Sequence, residues 1–446
     1  MASSFHYFLL FIINSFLFLN SCIAKTTTQR LNALVLPITK LTSTNDIQYI
    51  TQIHQRTPLV PVKLALYLGG DSLVVDCEDL GFVSSTYNPA LCGSAECTFA
   101  DARCNDGMCS GIERPGCHNN TCLLQGSNPF TSLGSVDEVG SDVVSVQSTD
   151  GSSPRKSVSV ANFVFVCSSS TIKLGLGKGV KGIAGLGRYP ISLPFQLASA
   201  HKLSAKFAIC LPSSTSESKK GTLFVGDGPY VYRPNIDVSK SLIYTKLYQM
   251  PRLFLGTFRS SPESFTEYFV KVKSIKVNGI AVPLNTSLLP VKRSLNLGGT
   301  KISTTVPYTK LETSIFKAVV NAFVKAMGNI PRVKPVEPFE ACFSSKNIGS
   351  TPFGPAVPKI DLMFEKRSVS WSMFGANSMV RVSDKVMCLG FVDGFDIESM
   401  RSAIIIGAHQ LEDNLLEFDV ANSRLGFSSS LRFGSKTTCS NFDFQI

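Results

Sequence analysis

Apolar and polar residues alternate with a period of two in many short stretches of this chain, the pattern of strands with one buried face. Ala33–Pro37, Val62–Leu68, Ser72–Asp76, Asp142–Gln147, Ser159–Cys167, Gly221–Val225 and Tyr268–Val277 read as such β-rich segments punctuated by turn residues, many of them with Val, Ile, Phe or Tyr at alternating positions. These stretches predict a mainly β protein. Polar, serine-rich runs at Ser148–Ser157 and Pro212–Lys220 read as hairpin tips or loops.

One long segment changes period. From Leu311, the residues Ile315, Val319, Phe323 and Met327 fall four apart, and Phe316, Val320 and Val324 widen the stripe into a helix face. Gly328, Asn329 and Pro331 supply the stop signal. A shorter helix is expected over Leu193–Ala200, after Pro190 and with Pro194 in its first turn. Both apolar stripes read as packing faces.

A weak internal duplication organises these elements. Leu73–Asp76 precedes by about a hundred residues the glycine-capped run Gly182–Gly187, and Gly299–Ser303 precedes Ala403–Gly407 by a similar distance. Each half thus holds an apolar strand ending at a marked position and a later apolar strand ending in glycine. The expectation is a pair of β-barrel lobes, each turning one strand end toward a central cleft. At 446 residues the chain is long enough for two cores.

Composition adds a compartment. The first 24 residues carry no Lys, Arg, Asp or Glu, and the run Phe8–Leu19 is apolar apart from Asn14 and Ser15. That run is short for a membrane span, and Ser21–Ala24 offers small residues before Lys25, so residues 1–24 read as a secretory signal peptide. Residues 25–225 are then expected to form an N-terminal lobe and residues 226–446 a C-terminal lobe. Beyond the leader no membrane association is expected.

Of the 13 cysteines, Cys22 lies in the leader. Twelve remain: Cys77, Cys92, Cys97, Cys104, Cys109, Cys117, Cys122, Cys167, Cys210, Cys342, Cys388 and Cys439. An even number in an oxidising compartment predicts six disulfides. No CxxC pair occurs and His118 is the one nearby imidazole, so neither a metal centre nor a cofactor is expected. Asn119 and Asn285 head glycosylation triplets.

A net charge of +11 favours acidic partners such as cell-wall polysaccharide. The basic residues are scattered in runs of at most two, which argues against nucleic acid. Gly177–Gly182 spells GxGxxG, but it leads into an apolar strand and not a helix, so it is no phosphate site.

Two carboxylates sharing one proton, about 3 Å apart, can activate water against a peptide bond. Each needs a small hydroxyl residue and then glycine beside it, so that the two turns can approach. At the first turn Asp76 is followed by Cys77 and Glu78. At the second, Ser303 stands where the other carboxylate would be, followed by Thr304 and Thr305. The pair is broken.

These turns and the segments around them resemble the pepsin-like aspartic proteases, a bilobal fold with two β-barrel lobes around a central cleft. More closely they resemble the plant branch of basic 7S globulins, extracellular dermal glycoproteins and xyloglucan-specific endoglucanase inhibitors. The resemblance rests on Val83–Pro89 (VSSTYNP), Gly182–Leu197 (GIAGLGRYPISLPFQL), Gly298–Tyr308 (GGTKISTTVPY), Phe374–Met379 (FGANSM) and Ile406–Phe427 (IGAHQLEDNLLEFDVANSRLGF). It implies loss of proteolysis, and the segment Asn128–Gly140 lacks the tyrosine that an active flap would carry. It also implies the disulfides Cys77–Cys167, Cys210–Cys439 and Cys342–Cys388.

The resemblance further implies an apoplastic monomer that inhibits a microbial cell-wall hydrolase, with Arg332 and Arg401 as the inhibitory arginines. A xyloglucan endoglucanase is favoured over a xylanase, because no histidine follows His409. Two alternatives stand beside it: a storage or peptide-hormone-binding protein, and a residual aspartic endopeptidase using Asp76.

Overall fold

The computed structural model describes residues 31–42, 47–78, 81–105, 109, 111–250, 254–255, 258–259, 263–292, 297–366, 368–396 and 401–445. The expected leader, residues 1–24, lies outside them.

The first half is built on one large sheet. Ala33–Thr42 lies between Gly221–Gly226 and Ile47–Gln55, antiparallel to both. Its residues Ala33, Leu34, Val35 and Leu36 are all buried, as in a strand covered on both faces. Ile47–Gln55 passes to Val60–Tyr67, which runs parallel to Gly182–Gly185. The long hairpin Leu133–Thr149 and Pro154–Ser168 closes the far side. Its tip lies within the serine-rich run, where Asp150 Oδ1 accepts from the amides of Ser152 and Ser153 at 2.9 and 3.3 Å. Pro212–Lys220 is likewise the loop joining antiparallel Lys206–Cys210 to Gly221–Gly226.

The second half contributes to the same sheet. Leu415–Asp419 pairs with Lys206–Cys210, from Lys206 opposite Asp419 to Cys210 opposite Leu415, and then with Arg424–Phe427. Phe207 and Phe418, side by side in that register, stack with ring centroids 4.8 Å apart. The rest of the second half forms smaller sheets. One has the strand order Phe269–Val270, Thr300–Ile302, Ile404–Ile406, Thr309–Leu311, Phe391–Asp393.

The expected helices occupy Leu193–Ala200 and Thr313–Ala326. The longer one buries Ile315, Phe316, Val319, Val320 and Phe323, the face that the spacing of four laid out. Glu312 caps it by accepting from the amides of Ser314 and Ile315 at 3.0 and 3.2 Å. Met327 and Gly328 close it, the glycine in the left-handed region at φ +62°.

All twelve cysteines are joined: Cys77–Cys167, Cys92–Cys104, Cys97–Cys122, Cys109–Cys117, Cys210–Cys439 and Cys342–Cys388. Cys210–Cys439 ties the shared sheet to the C-terminal tail. None of the helices among the described residues is long and apolar enough to cross a membrane.

Candidate functional site: two facing turns and two exposed arginines

The duplication is real, but its first turn lies nine residues earlier than the sequence suggests. Val60–Tyr67 runs parallel to Gly182–Gly185 and sets Tyr67 opposite Gly185. In the second half Thr300–Ile302 runs parallel to Ile404–Ile406, and Ser303 donates its amide to the Ile406 carbonyl at 3.0 Å. An antiparallel return strand completes each trio: Leu73–Asp76 in the first half, Thr309–Leu311 in the second.

The glycines fix the correspondence. A Cβ on Gly185 would lie 2.3 Å from the Ser72 carbonyl oxygen, and one on Gly407 would lie 2.3 Å from the Tyr308 carbonyl carbon. Each glycine is required by the backbone that enters the return strand. The residue related to Ser303 is therefore Tyr67, and Asp76 belongs to a return strand. The expectation that Asp76 marks the first turn is corrected accordingly.

The turn tips are thus Tyr67–Leu68–Gly69 and Ser303–Thr304–Thr305, and they clasp each other. The Thr304 hydroxyl accepts from the Leu68 amide and donates to the Leu66 carbonyl, both at 3.0 Å. Leu68 has no hydroxyl to return the contact, so the clasp is one-sided. Ser303 Oγ accepts from the amides of Thr305 and Val306 at 3.2 Å, which holds its own turn. The Thr266 hydroxyl donates to the Gly69 carbonyl, and the Tyr268 hydroxyl to the Leu186 carbonyl at 2.9 Å. Neither tip carries a carboxylate.

Asp76 has another occupation. It is fully buried, ion-paired to Lys173 Nζ at 2.6 Å, and accepts from Ser170 Oγ and the Glu78 amide at 3.0 and 3.1 Å. With the adjacent Cys77–Cys167 disulfide it fastens Leu73–Asp76 to the end of Pro154–Ser168. A pocket beside Tyr67 is walled by Asp71, Leu124, Ser127, Asp137, Ile172 and Thr266. The hairpin over it, Thr121–Asn128 with Leu133–Thr149, is pinned at its tip, where Asn128 Nδ2 donates to the Ile172 and Leu174 carbonyls at 3.0 and 2.9 Å.

Behind the second turn lies a buried ion cluster that the sequence did not reveal. Glu412 receives Lys40 Nζ and the Tyr49 hydroxyl, each at 2.6 Å, and His409 Nδ1 stands 3.5 Å away. Burial alone would raise the Glu412 carboxyl, but His409 and Lys40 hold it below the ordinary glutamate range. His409 is nine-tenths buried, donates its amide to the Pro307 carbonyl, and is structural.

Arg332 and Arg401 are both exposed. Arg332 opens the short strand Arg332–Val333, paired with Cys342–Ser344, so the Cys342–Cys388 disulfide braces its neighbour strand. Its Nη2 donates to the Glu340 carbonyl at 3.2 Å. Arg401 adopts φ +57°, and its carbonyl accepts from the Gly298 amide at 3.0 Å. Arg332 belongs to the sheet of Cys342–Ser344, whereas Arg401 lies in the bend before the strand Ile404–Ile406, and residues 397–400 of the polar loop before it lie outside the described residues. Asn119 and Asn285 are exposed.

Comparison with known proteins decides the family. Residues 49–227 match the family described as xylanase inhibitor N-terminal, and residues 267–429 match xylanase inhibitor C-terminal. The chain is 52% identical over 435 residues to "Probable aspartic proteinase GIP2" of Nicotiana benthamiana, covering 97% of each. It belongs to the xylanase-inhibitor family of pepsin-like proteins. The crystal structure of edgp, at 49% identity, superposes with a TM-score of 0.87 and covers 94% of this chain and 99% of that one. The crystal structure of conglutin gamma, described as a unique basic 7S globulin from lupine seeds, is 37% identical with a TM-score of 0.79 and covers 93% and 100%. The family's bilobal fold is the one built above from strand registers.

Proposed function

We propose that this member of the family is a secreted, proteolytically silent inhibitor of microbial cell-wall glycoside hydrolases, with a xyloglucan-specific endo-β-1,4-glucanase ahead of a xylanase as its target. The observation that carries the loss of proteolysis is the pair of tips at Tyr67 and Ser303. Tyrosine and serine hydroxyls are neutral at acidic pH and cannot share a proton as two carboxylates do. Asp76 is locked to Lys173 and ends the return strand, whose opposite end, Leu73, pairs with Ala184 beside the first tip.

Inhibition follows from the chemistry of the target. Glycoside hydrolases flank the scissile bond with two carboxylates, about 5 to 9 Å apart. A guanidinium offers a planar fork of donors that fits a carboxylate and keeps its charge at any apoplastic pH. Among the described residues no carboxylate pairs with Arg332 or Arg401, so both forks can be offered to a partner. Arg432, by contrast, is engaged with Asp413 at 2.9 Å. The family descriptions name xylanase inhibition, and the absence of a histidine after His409 supports the xyloglucanase side of that choice.

The test is inhibition of a purified xyloglucan-specific endoglucanase by the wild type and by the double variant Arg332→Ala/Arg401→Ala. Inhibition by the first and none by the second, with identical thermal unfolding, supports the reading. Equal inhibition by both removes the arginines from it. Glycans on Asn119 and Asn285 fit the secreted route and would appear as a mass loss on N-glycosidase digestion; an unchanged mass would remove them.

A further inference from the structure

We propose that Phe395 is an aromatic anchor that enters the sugar-binding cleft of the inhibited hydrolase beside Arg401. The inference rests on the inhibitory reading above and adds a specificity-determining contact to it.

Phe395 is the most exposed aromatic side chain among the described residues, at 70%. Its backbone lies in the left-handed region at φ +67°, a conformation that costs a non-glycine residue about 1–2 kcal/mol. A phenyl group held there at the surface recovers none of that cost by burial in the free protein. Such outliers persist where the surroundings over-determine them, and they gather at functional contacts.

The surroundings do over-determine it. The Phe395 amide donates to Asp393 Oδ1 at 2.9 Å, and its carbonyl accepts from the Thr313 amide at 3.0 Å. The Thr313 hydroxyl in turn donates to the same Asp393 oxygen at 2.7 Å. The ring is therefore carried on a backbone fixed to the first turn of the helix Thr313–Ala326. Little ordering is left to be done on binding.

Register brings it to Arg401. Leu311 lies opposite Asp393 on one side and Ile404 on the other. Neighbouring strands are about 4.8 Å apart, so the strands carrying these two residues are separated by roughly 10 Å. Phe391–Asp393 runs parallel to Thr309–Leu311 and leaves at the edge where Phe395 bonds Thr313. Ile404–Ile406 runs antiparallel and arrives from that same edge, where the Ala403 carbonyl accepts from the Glu312 amide at 3.0 Å. Phe395 and Arg401 thus follow and precede, at the same end of the sheet, two strands separated only by Thr309–Leu311.

That combination selects a partner. An exposed ring together with an exposed guanidinium that pairs with no carboxylate among the described residues fits a cleft holding acidic catalytic groups next to an apolar, aromatic-lined wall. Aromatic and arginine residues are also those that dominate the centre of protein interfaces.

The experiment measures inhibition constants of wild type, Phe395→Ala and Phe395→Tyr against a xyloglucan-specific endoglucanase, with Arg332→Ala/Arg401→Ala alongside. Loss of the ring should raise the constant by roughly 10- to 100-fold, while Tyr stays near wild type. Both variants should unfold at the wild-type temperature, because the ring is exposed. If Ala inhibits like wild type while the arginine variant does not, the anchor is refuted and the inhibitory reading stands. If the wild type itself fails to inhibit, that reading falls and the anchor with it. Pull-down on insoluble xyloglucan separates the other occupant: weaker retention of Ala there, with unchanged inhibition, would assign the ring to the polysaccharide and overturn the proposal.

Discussion

Replacing Thr304 by valine removes one hydroxyl and should loosen the contact between the two turns. Val is close in shape, so the change leaves packing nearly intact and isolates the two hydrogen bonds, from the Leu68 amide and to the Leu66 carbonyl, each 3.0 Å long. Thr304, Leu66 and Leu68 are each at most 1% exposed, so no water replaces the lost partner. A buried group left unpaired costs about 1–3 kcal/mol, which makes the total for the two groups roughly 2–6 kcal/mol. In a chain of this length each kcal/mol moves the unfolding temperature by roughly 1 °C, so a drop of about 2–6 °C is expected in a thermal melt. Thr304→Ser, which keeps the hydroxyl, should recover most of it. A Thr304→Val melt within about 1 °C of wild type would refute the clasp.

Stability should also fall in acid. The folded Glu412 carboxyl lies below its unfolded value, so its contribution is complete above the ordinary glutamate range, about 4.3, and is lost as pH drops through the folded value. Melts across pH 3 to 7 should decline steeply below about pH 4.5 in wild type and less steeply in Glu412→Gln; parallel curves would remove Glu412 from the effect. Incubation with a generic peptide at acidic pH should give no cleavage, and Ser303→Asp alone should remain silent because Tyr67 still faces it. Wild-type cleavage blocked by a mimic of the tetrahedral intermediate would restore the endopeptidase reading and suit the name of the Nicotiana benthamiana relative.

The fold was legible because its signals are local. The apolar run Ala33–Pro37 and the spacing of four from Leu311 to Met327 depend only on neighbours in sequence, and both became the elements they predict. Edges moved where pairing partners, invisible in sequence, extended a strand: Asp142–Gln147 became part of Leu133–Thr149 because Thr121–Asn128 supplies a second partner. The first turn was misplaced because Asp76 is an acid after an apolar run. Leu68–Gly69–Gly70 meets the steric requirement better than Cys77–Glu78, but without a carboxylate it carries no acid to mark it. The second turn is easier to read, because its glycine-led strand and the threonines after Ser303 are intact. The ion cluster at Glu412 could not be read at all, since Lys40 and Glu412 are 372 positions apart in the chain and meet only through folding.

The central claim is that this pepsin-like chain binds and blocks a glycoside hydrolase. Its most direct test is titration of the purified protein into a panel of xyloglucan-specific endoglucanases and xylanases, with residual activity recorded at each ratio. The account predicts stoichiometric loss of activity for at least one xyloglucanase, and none for the xylanases at the same ratio. Full activity across the whole panel would contradict it and turn attention to storage or peptide binding.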